Sequence, residues 1–231
     1  MSRKISIVLS TYNESKIIEN TVNKIFNNIE NVEIILVDDN SNDGTIDRLK
    51  NINNENLKIF RRKQRGLASA FLLGIINSTG EYVGWTDSNM PDLIKHFDEM
   101  EKKLNEFDFV LLSRYIEGGG DRRSKLRIFS SKILNSFCRL VLGNEIKDYT
   151  SGIFLMKREV LEKGVPIAYG HGEFFIEFLY NLKKHNLKIL ELAYIQPPDE
   201  EGSKTASSLF RFFILGVNYF LRILIARFRI N

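Results

Sequence analysis

Short apolar runs alternate with helical patterns through the first half of the chain, and each apolar run ends in a cluster of polar residues. Residues 5–10 (ISIVLS) read as a buried strand, and 15–29 as a helix with apolar Ile17, Ile18, Val22, Ile25 and Phe26. Further strands are predicted at 34–37, 57–60, 82–86 and 107–112, with helical patterns at 45–52, 66–76 and 92–104 between them. Alternation at this spacing implies right-handed βαβ crossovers. The expected fold is therefore α/β, a mainly parallel sheet with helices on both faces. Ligands of such sheets sit beyond the carboxyl ends of the strands, so the residues after each run are the ones to inspect.

The second half is less regular. A Gly-rich, basic loop at 117–123 leads to a long helical pattern at 126–142. A short strand at 153–156, a helix from about 173 to 185 and a strand at 188–192 follow. Pro197 and Pro198 then break the chain before a polar linker, 199–205. At 231 residues there is room for one α/β domain of ordinary size, and no internal repeat divides it.

The strand ends carry the chemistry. They read Ser10-Thr11-Tyr12-Asn13-Glu14, Asp38-Asp39-Asn40-Ser41, Arg61-Arg62-Lys63-Gln64-Arg65-Gly66, Thr86-Asp87-Ser88-Asn89 and Ser113-Arg114-Tyr115. An aromatic ring, carboxylates able to take ribose hydroxyls, a basic run and an acidic turn suit a nucleotide carrying a diphosphate and a metal. Taken singly, each cluster has a plainer reading: residues 40–44 make a turn and helix cap, and Arg61 to Lys63 a solvated charge run. Five strand ends in agreement distinguish the set. There is no G-x-x-x-x-G-K-[ST] loop, no glycine fingerprint after the first strand, and no G-x-S-x-G or H-E-x-x-H. One cysteine, Cys138, and three scattered histidines disfavour a disulfide framework or a zinc site. The expectation is a reduced, intracellular protein without a signal peptide.

The segments VLSTYNE (8–14), VDDNSNDGT (37–45), RGLASAFLLGI (65–75) and the turn at Asp87 resemble family 2 glycosyltransferases of the GT-A fold. SRYIEGGG (113–120), the basic segment with Arg127 and Ser131, LVLGNEIKDYTSGIFLMKREVL (140–161) and EGSKT (201–205) narrow the resemblance to polyprenyl-phosphate sugar synthases. The resemblance implies a GT-A catalytic domain over 1–205. Ser10, Tyr12, Glu14, Asp38, Asp39, Arg65, Gly66, Asp87 and Ser88 would then bind the nucleotide sugar. Asp87 and Asn89 would hold Mg²⁺ or Mn²⁺, while Arg114, Arg127 and Ser131 would hold the acceptor phosphate. Asp148, Thr150, Ser151 and Gly152 would lie near the transferred sugar, and Lys204 would close over the donor phosphates. Asp87, Arg114 and Lys204 are the residues expected to carry catalysis.

The implied reaction is transfer of a hexose, with inversion, from GDP-mannose or UDP-glucose to a dolichyl or undecaprenyl phosphate. A phosphate acceptor is already ionised and needs positioning more than a general base, which agrees with the lack of an obvious histidine base. Two alternatives stand beside it: a family 2 transferase with a saccharide or other lipid acceptor, and a non-catalytic sugar-nucleotide binder. The second is motivated by Asn89, which replaces the family's second acid. Asp92 reads equally as a compensating ligand or a helix cap.

Lys and Arg exceed Asp and Glu by 33 − 29 = 4, and residues 209–231 hold four arginines and no acid. The longest uncharged stretch there, 212–221, is ten residues, about half of the ~20 needed to span a bilayer. Arg211, Asn218, Arg222 and Arg229 share one helical stripe, with Arg227 off it. The pattern predicts an amphipathic helix over 206–231, lying in a membrane interface at the cytoplasmic face. The alternative is a helix packed on the body or on a second copy. Basic charge confined to a tail rich in Phe, Ile and Leu argues against nucleic acid as a partner.

Overall fold

The structure is a computed structural model that describes residues 3–168, 170, 172–198 and 209–229, and the side chains of 209–213 are not among those described. In chain order the first half contains β1 (Ile5–Thr11), α1 (Ile18–Asn28), β2 (Val32–Asp38), α2 (Thr45–Leu49), β3 (Leu57–Arg61), α3 (Leu67–Ile76) and β4 (Tyr82–Trp85). A 3₁₀ turn (Pro91–His96) then runs into α4 (Phe97–Lys103) and β5 (Phe109–Ser113). The second half contains β6 (Gly120–Asp121), α5 (Lys125–Leu142), β7 (Phe154–Lys157), α6 (Val160–Lys163), α7 (Glu173–Lys184), β8 (Ile189–Ala193), β9 (Ile195–Gln196) and α8 (Leu209–Phe228).

The main sheet runs β3-β2-β1-β4-β7-β5-β8. Neighbours are parallel except β7, which is antiparallel to both β4 and β5. β1, β2 and β5 are buried almost throughout, which is why they read as unbroken apolar runs. One core lies under α3, α5 and α7, where Phe154 stacks on Phe109 at 4.8 Å and on Phe175 at 5.3 Å. The other lies under α1 and α4, built on Ile7, Leu9, Ile25, Leu36 and Phe97. Burying both faces leaves the strand ends as the place for polar side chains.

Two features depart from the sequence expectation. Helix 92–104 opens as a 3₁₀ turn with Pro91 in its first turn and no side-chain cap. The short strands β6 and β9 form a separate parallel pair, Gly120 opposite Ile195 and Asp121 opposite Gln196. This pair folds the 117–123 loop back over β5. A side chain on Gly119 would come within 2.8 Å of the Arg114 carbonyl, so the close approach needs glycine there.

At the opposite end of the sheet, the fully buried Glu33 carboxylate accepts hydrogen bonds from Ser6 Oγ (2.7 Å), Thr79 Oγ1 (2.9 Å) and Lys58 Nζ (3.0 Å). Burial alone would raise this carboxyl, but the Ser6, Thr79 and Lys58 bonds outweigh it and hold the group at about 2.

The C-terminal segment is helical as expected, and no helix among the described residues is long and apolar enough to cross a membrane. Its orientation corrects the expectation. Arg222 and Arg229 turn inward to ion-pair with the buried Glu177 of α7, at 3.2 and 2.6 Å, and Arg227 donates to the Tyr180 hydroxyl at 3.1 Å. Ile223 and Ala226 are buried beside them. The outward face is mainly apolar, with Ile214, Val217, Leu221, Leu224, Ile225 and Phe228 exposed alongside Asn218, Arg227 and Arg229. An acid on the body captured the basic stripe because a buried carboxylate without cations is costly.

Two measurements check these contacts. Replacing Glu177 by Ala leaves two arginines without their acid and is expected to cost about 2–4 kcal/mol, lowering Tm by several degrees. For Glu33, the folded group titrates below its unfolded value, so its contribution is complete above about pH 4.5 and is lost as pH falls towards 2. Glu33→Gln is expected to flatten the pH dependence of stability in that window, as read by urea denaturation at stepped pH.

Candidate active site

At the ends of β1, β2 and β3 the loops are laced to one another by side chains. Asn13 N–H donates to Ser41 Oγ (2.8 Å), Glu14 N–H to Thr45 Oγ1 (2.8 Å) and Asn42 N–H to Asn13 Oδ1 (3.0 Å). Asn13 and Asn40 take positive φ at these bends, a conformation asparagine tolerates. The run 40–44 is thus a turn that fixes its neighbour. Asp38 belongs to the same scaffold. It is fully buried and bonded to the Ser41 hydroxyl and N–H, so the structure gives this expected nucleotide ligand a turn-forming role instead.

Asp39 is placed differently. By the alternation of the pleat it lies on the opposite sheet face from Asp38, the α3 face, together with Ser10. Its Oδ1 accepts from Arg62 Nε at 2.5 Å and its Oδ2 from the Gly66 N–H at 2.9 Å. One residue before Gly66, the Arg65 guanidinium stacks on the Tyr12 ring, 3.3 Å from its centroid. Tyr12, Asp39, Arg65 and Gly66 therefore converge, as the sequence expected of a nucleotide site. Arg62 was read as part of a solvated run and is instead largely enclosed.

β4 delivers Asp87 to the same end of the sheet. The turn that follows is closed by Met90 N–H on the Asp87 carbonyl (3.2 Å) and held to α1 by Thr21 Oγ1 on the Ser88 carbonyl (2.6 Å). Asp87 and Asn89 are half-exposed and Ser88 is buried. Among the described residues no group of three or more His, Cys, Asp or Glu forms a metal cage. A single carboxylate beside a neutral carbonyl is an all-oxygen set that fits a hard cation completed by substrate phosphate and water. Asp92 makes no helix-cap hydrogen bond: it pairs with Lys24 of α1 at 2.5 Å, which holds its carboxyl below the usual range.

The other half of the site is built on a buried ion pair. Arg114, at the end of β5, closes its fork on Asp148 through Nε (2.8 Å) and Nη2 (2.7 Å), and its own N–H adds a third bond at 3.0 Å. Burial opposes the charge on Arg114, but Asp148 outweighs it and pushes the guanidinium further above its ordinary range. Glu191 of β8 accepts the N–H groups of Lys147 and Asp148 at 2.7 and 2.9 Å. Arg114 was expected to offer its fork to an acceptor phosphate. The fork is occupied by Asp148, Nη1 lies 3.9 Å from Asp121, and the side chain is 3% exposed, so Arg114 braces the loop rather than presenting a free fork.

This pair joins the 148–152 loop to α5. Thr150 Oγ1 takes bonds from Arg114 Nη2 (2.7 Å) and Asn135 Nδ2 (2.8 Å), while Asn135 Oδ1 accepts the Tyr149 N–H (2.8 Å). One turn earlier on α5, Ser131 Oγ is bonded to the Tyr115 hydroxyl at 2.8 Å, and Arg127 is half-buried one turn before that. Ser151 and Gly152 complete the loop. Gly152 has φ +76° and open space where a side chain would stand. Asn135 and Glu191 were missed from the sequence, and Tyr115 was noted at its strand end without a role, because each acts through a partner remote in the chain. Lys204 lies outside the described residues.

The family profile described as glycosyl transferase family 2 matches residues 6–165. A dolichol-phosphate mannosyltransferase of Pyrococcus furiosus is 32% identical over 169 residues, covering 69% of this chain and 47% of that protein. The polyprenol monophosphomannose synthase of Mycolicibacterium smegmatis is 30% identical over 176 residues, covering 70% of this chain and 64% of the relative. The chain thus spans about half to two thirds of the length of the curated relatives it matches. Among solved structures, glucosyl-3-phosphoglycerate synthase from Mycobacterium tuberculosis in complex with Mn²⁺, UDP and phosphoglyceric acid aligns with a TM-score of 0.75 at 19% identity, over 99% of this chain and 80% of that one. Its complex with Mg²⁺ and UDP also gives 0.75. These likenesses establish the GT-A glycosyltransferase fold, and with a profile match over well more than half its length the chain belongs to glycosyl transferase family 2.

Proposed function

We propose that the chain transfers a hexosyl unit, with inversion, from a nucleoside diphosphate sugar to the phosphate of a polyprenyl lipid at a membrane surface. The observation that carries the acceptor class is α5. The helix that presents Arg127 and Ser131 beside the 148–152 loop also carries an outward apolar stripe, with Leu126 53%, Phe129 64%, Ile133 45% and Leu140 81% exposed. That stripe adjoins the outward face of α8 through the Phe137 and Phe220 rings, 4.8 Å apart. A continuous apolar surface of this kind, beside a phosphate-binding helix, suits a lipid whose head is held at the site and whose tail stays in the bilayer. The names of the mannose-transferring relatives support GDP-mannose ahead of UDP-glucose as donor. In this reading residues 1–205 are the catalytic body and 206–231 the anchor, peripheral on the cytoplasmic face.

The chemistry follows from the residues. The acceptor phosphate oxygen attacks the anomeric carbon, a new C–O bond forms, and the bond to the nucleoside diphosphate breaks with its electron pair leaving on the diphosphate. Arg127 and Ser131 orient the phosphate, which needs no general base, and the buried Arg114 fixes the loop beside them through Asp148. Asp148, locked by Arg114 and Glu191, holds the loop in which Gly152 leaves room for the sugar. Tyr12, Asp39 and Arg65 hold the nucleotide. A divalent cation on Asp87 and Asn89, Mg²⁺ or Mn²⁺, would supply charge neutralisation for the leaving diphosphate.

The decisive assay is transfer from a panel of nucleotide sugars to a polyprenyl phosphate in detergent, with Mg²⁺, Mn²⁺ or EDTA, read by mass spectrometry of the lipid. A lipid-phosphate hexose that disappears with EDTA is expected; folded protein giving no product with any donor would overturn the reading. Membrane docking has its own test. The double variant Phe129→Asp, Leu221→Asp is expected to lose most co-sedimentation with anionic vesicles while keeping its Tm, because both side chains are exposed.

A further inference from the structure

Arg62 stands at the centre of a closed ring of hydrogen bonds that no nucleotide-binding signature in the sequence announces. Its Nε donates to Asp39 Oδ1 (2.5 Å), its Nη1 to Ser69 Oγ of α3 (2.7 Å) and its Nη2 to the Gly66 carbonyl (2.5 Å). Its own N–H continues the sheet by bonding the Asp38 carbonyl at 2.9 Å. Asp39 closes the ring by accepting the Gly66 N–H at 2.9 Å. Gly66 is therefore gripped through both its N–H and its carbonyl, and the side chains of Arg62 and Asp39 are only 16% and 10% exposed.

The ring has two consequences at the site mouth. Each Asp39 oxygen already accepts one bond from the protein, so the carboxylate cannot swing and its remaining lone pairs face a set direction. Fixing Gly66 also fixes the residue before it, and that residue is Arg65, seated on Tyr12 at 3.3 Å. One guanidinium thus sets the direction of the carboxylate and the placement of the stacked pair.

We propose that Arg62 is a positioning residue for the donor nucleotide, aiming Asp39 at the nucleoside and delivering Arg65 onto Tyr12. The inference rests on the nucleoside-diphosphate reading given above and adds a residue to it. Only a planar fork meets three acceptors at these angles. Lysine, a point donor on a flexible stem, keeps the charge and loses the geometry.

The test is binding of GDP, UDP and inorganic pyrophosphate, each with Mn²⁺, to the wild-type chain and to Arg62→Lys, Asp39→Asn and the double variant, by titration calorimetry. Arg62→Lys is expected to weaken the nucleotide that wild type prefers by roughly tenfold, while pyrophosphate changes by less than about twofold. The double variant is expected to lose clearly less than the sum of the two singles, since both act in part through one carboxylate. A general loss of structure would lower pyrophosphate binding as well, so equal losses for both ligands would overturn the proposal. Unchanged nucleotide binding in Arg62→Lys, or additive losses, would overturn it while leaving the donor reading intact. Wild-type protein that binds neither nucleotide would remove the donor reading and this inference together.

Discussion

The ion pair between Arg114 and Asp148 is the constraint on which the arrangement of the second half depends. It ties the end of β5 to a loop 34 residues later in the chain, with both partners almost fully buried. Removing one member of such a pair typically costs about 3–5 kcal/mol, because the survivor is left charged and enclosed. The surrounding groups satisfy the rest of its hydrogen-bonding capacity: Thr150 on the arginine, Glu191 on the two backbone N–H groups that lead into Asp148. With the loop held, β7 can enter the sheet antiparallel between β4 and β5. The same contacts, through Asn135, hold α5 alongside the site.

α5 consequently faces two solvents. Its inner side contributes Cys138 and Leu142 to the core and Asn135 to the loop network, and its outer side presents leucine, phenylalanine and isoleucine. α8 extends that outer surface only because Glu177 draws Arg222 and Arg229 inward. Charge pairing within the body thereby determines what the surface offers outside it. The outcome is a polar loop network and an apolar surface sharing one helix, the feature on which the proposed lipid phosphate acceptor rests.

Much of the half built on β1 to β4 was legible in the sequence, and the reasons are local. Parallel strands buried on both faces read as apolar runs, and their polar ends are adjacent in sequence to the strands that position them. That reading put Tyr12, Asp39, Arg65 and Asp87 at the strand ends, and the structure has them at one end of the sheet. Asp38 was misjudged because alternation along β2 sends it to the opposite face from Asp39, into the Ser41 turn. Arg62 looked like its solvated neighbours, since nothing local says that one arginine of a run reaches Ser69 and Gly66. Periodicity found the stripe on α8 without saying which way it faces. That is decided by Glu177, 45 residues before Arg222. The direction of β7 and the pairing of β6 with β9 are long-range facts of the same kind, carried by two to four residues with no period of their own.

The central claim is that one helix couples the acceptor-phosphate site to a lipid surface. It is tested most directly by initial rates on acceptor phosphates of increasing prenyl length presented in vesicles, with a water-soluble phosphorylated acceptor as the reference. The account predicts that kcat/KM rises with prenyl length and that the rise flattens when the apolar stripe of α5 carries a charge at Phe129. Equal or better rates on the soluble acceptor, with no dependence on chain length, would contradict it.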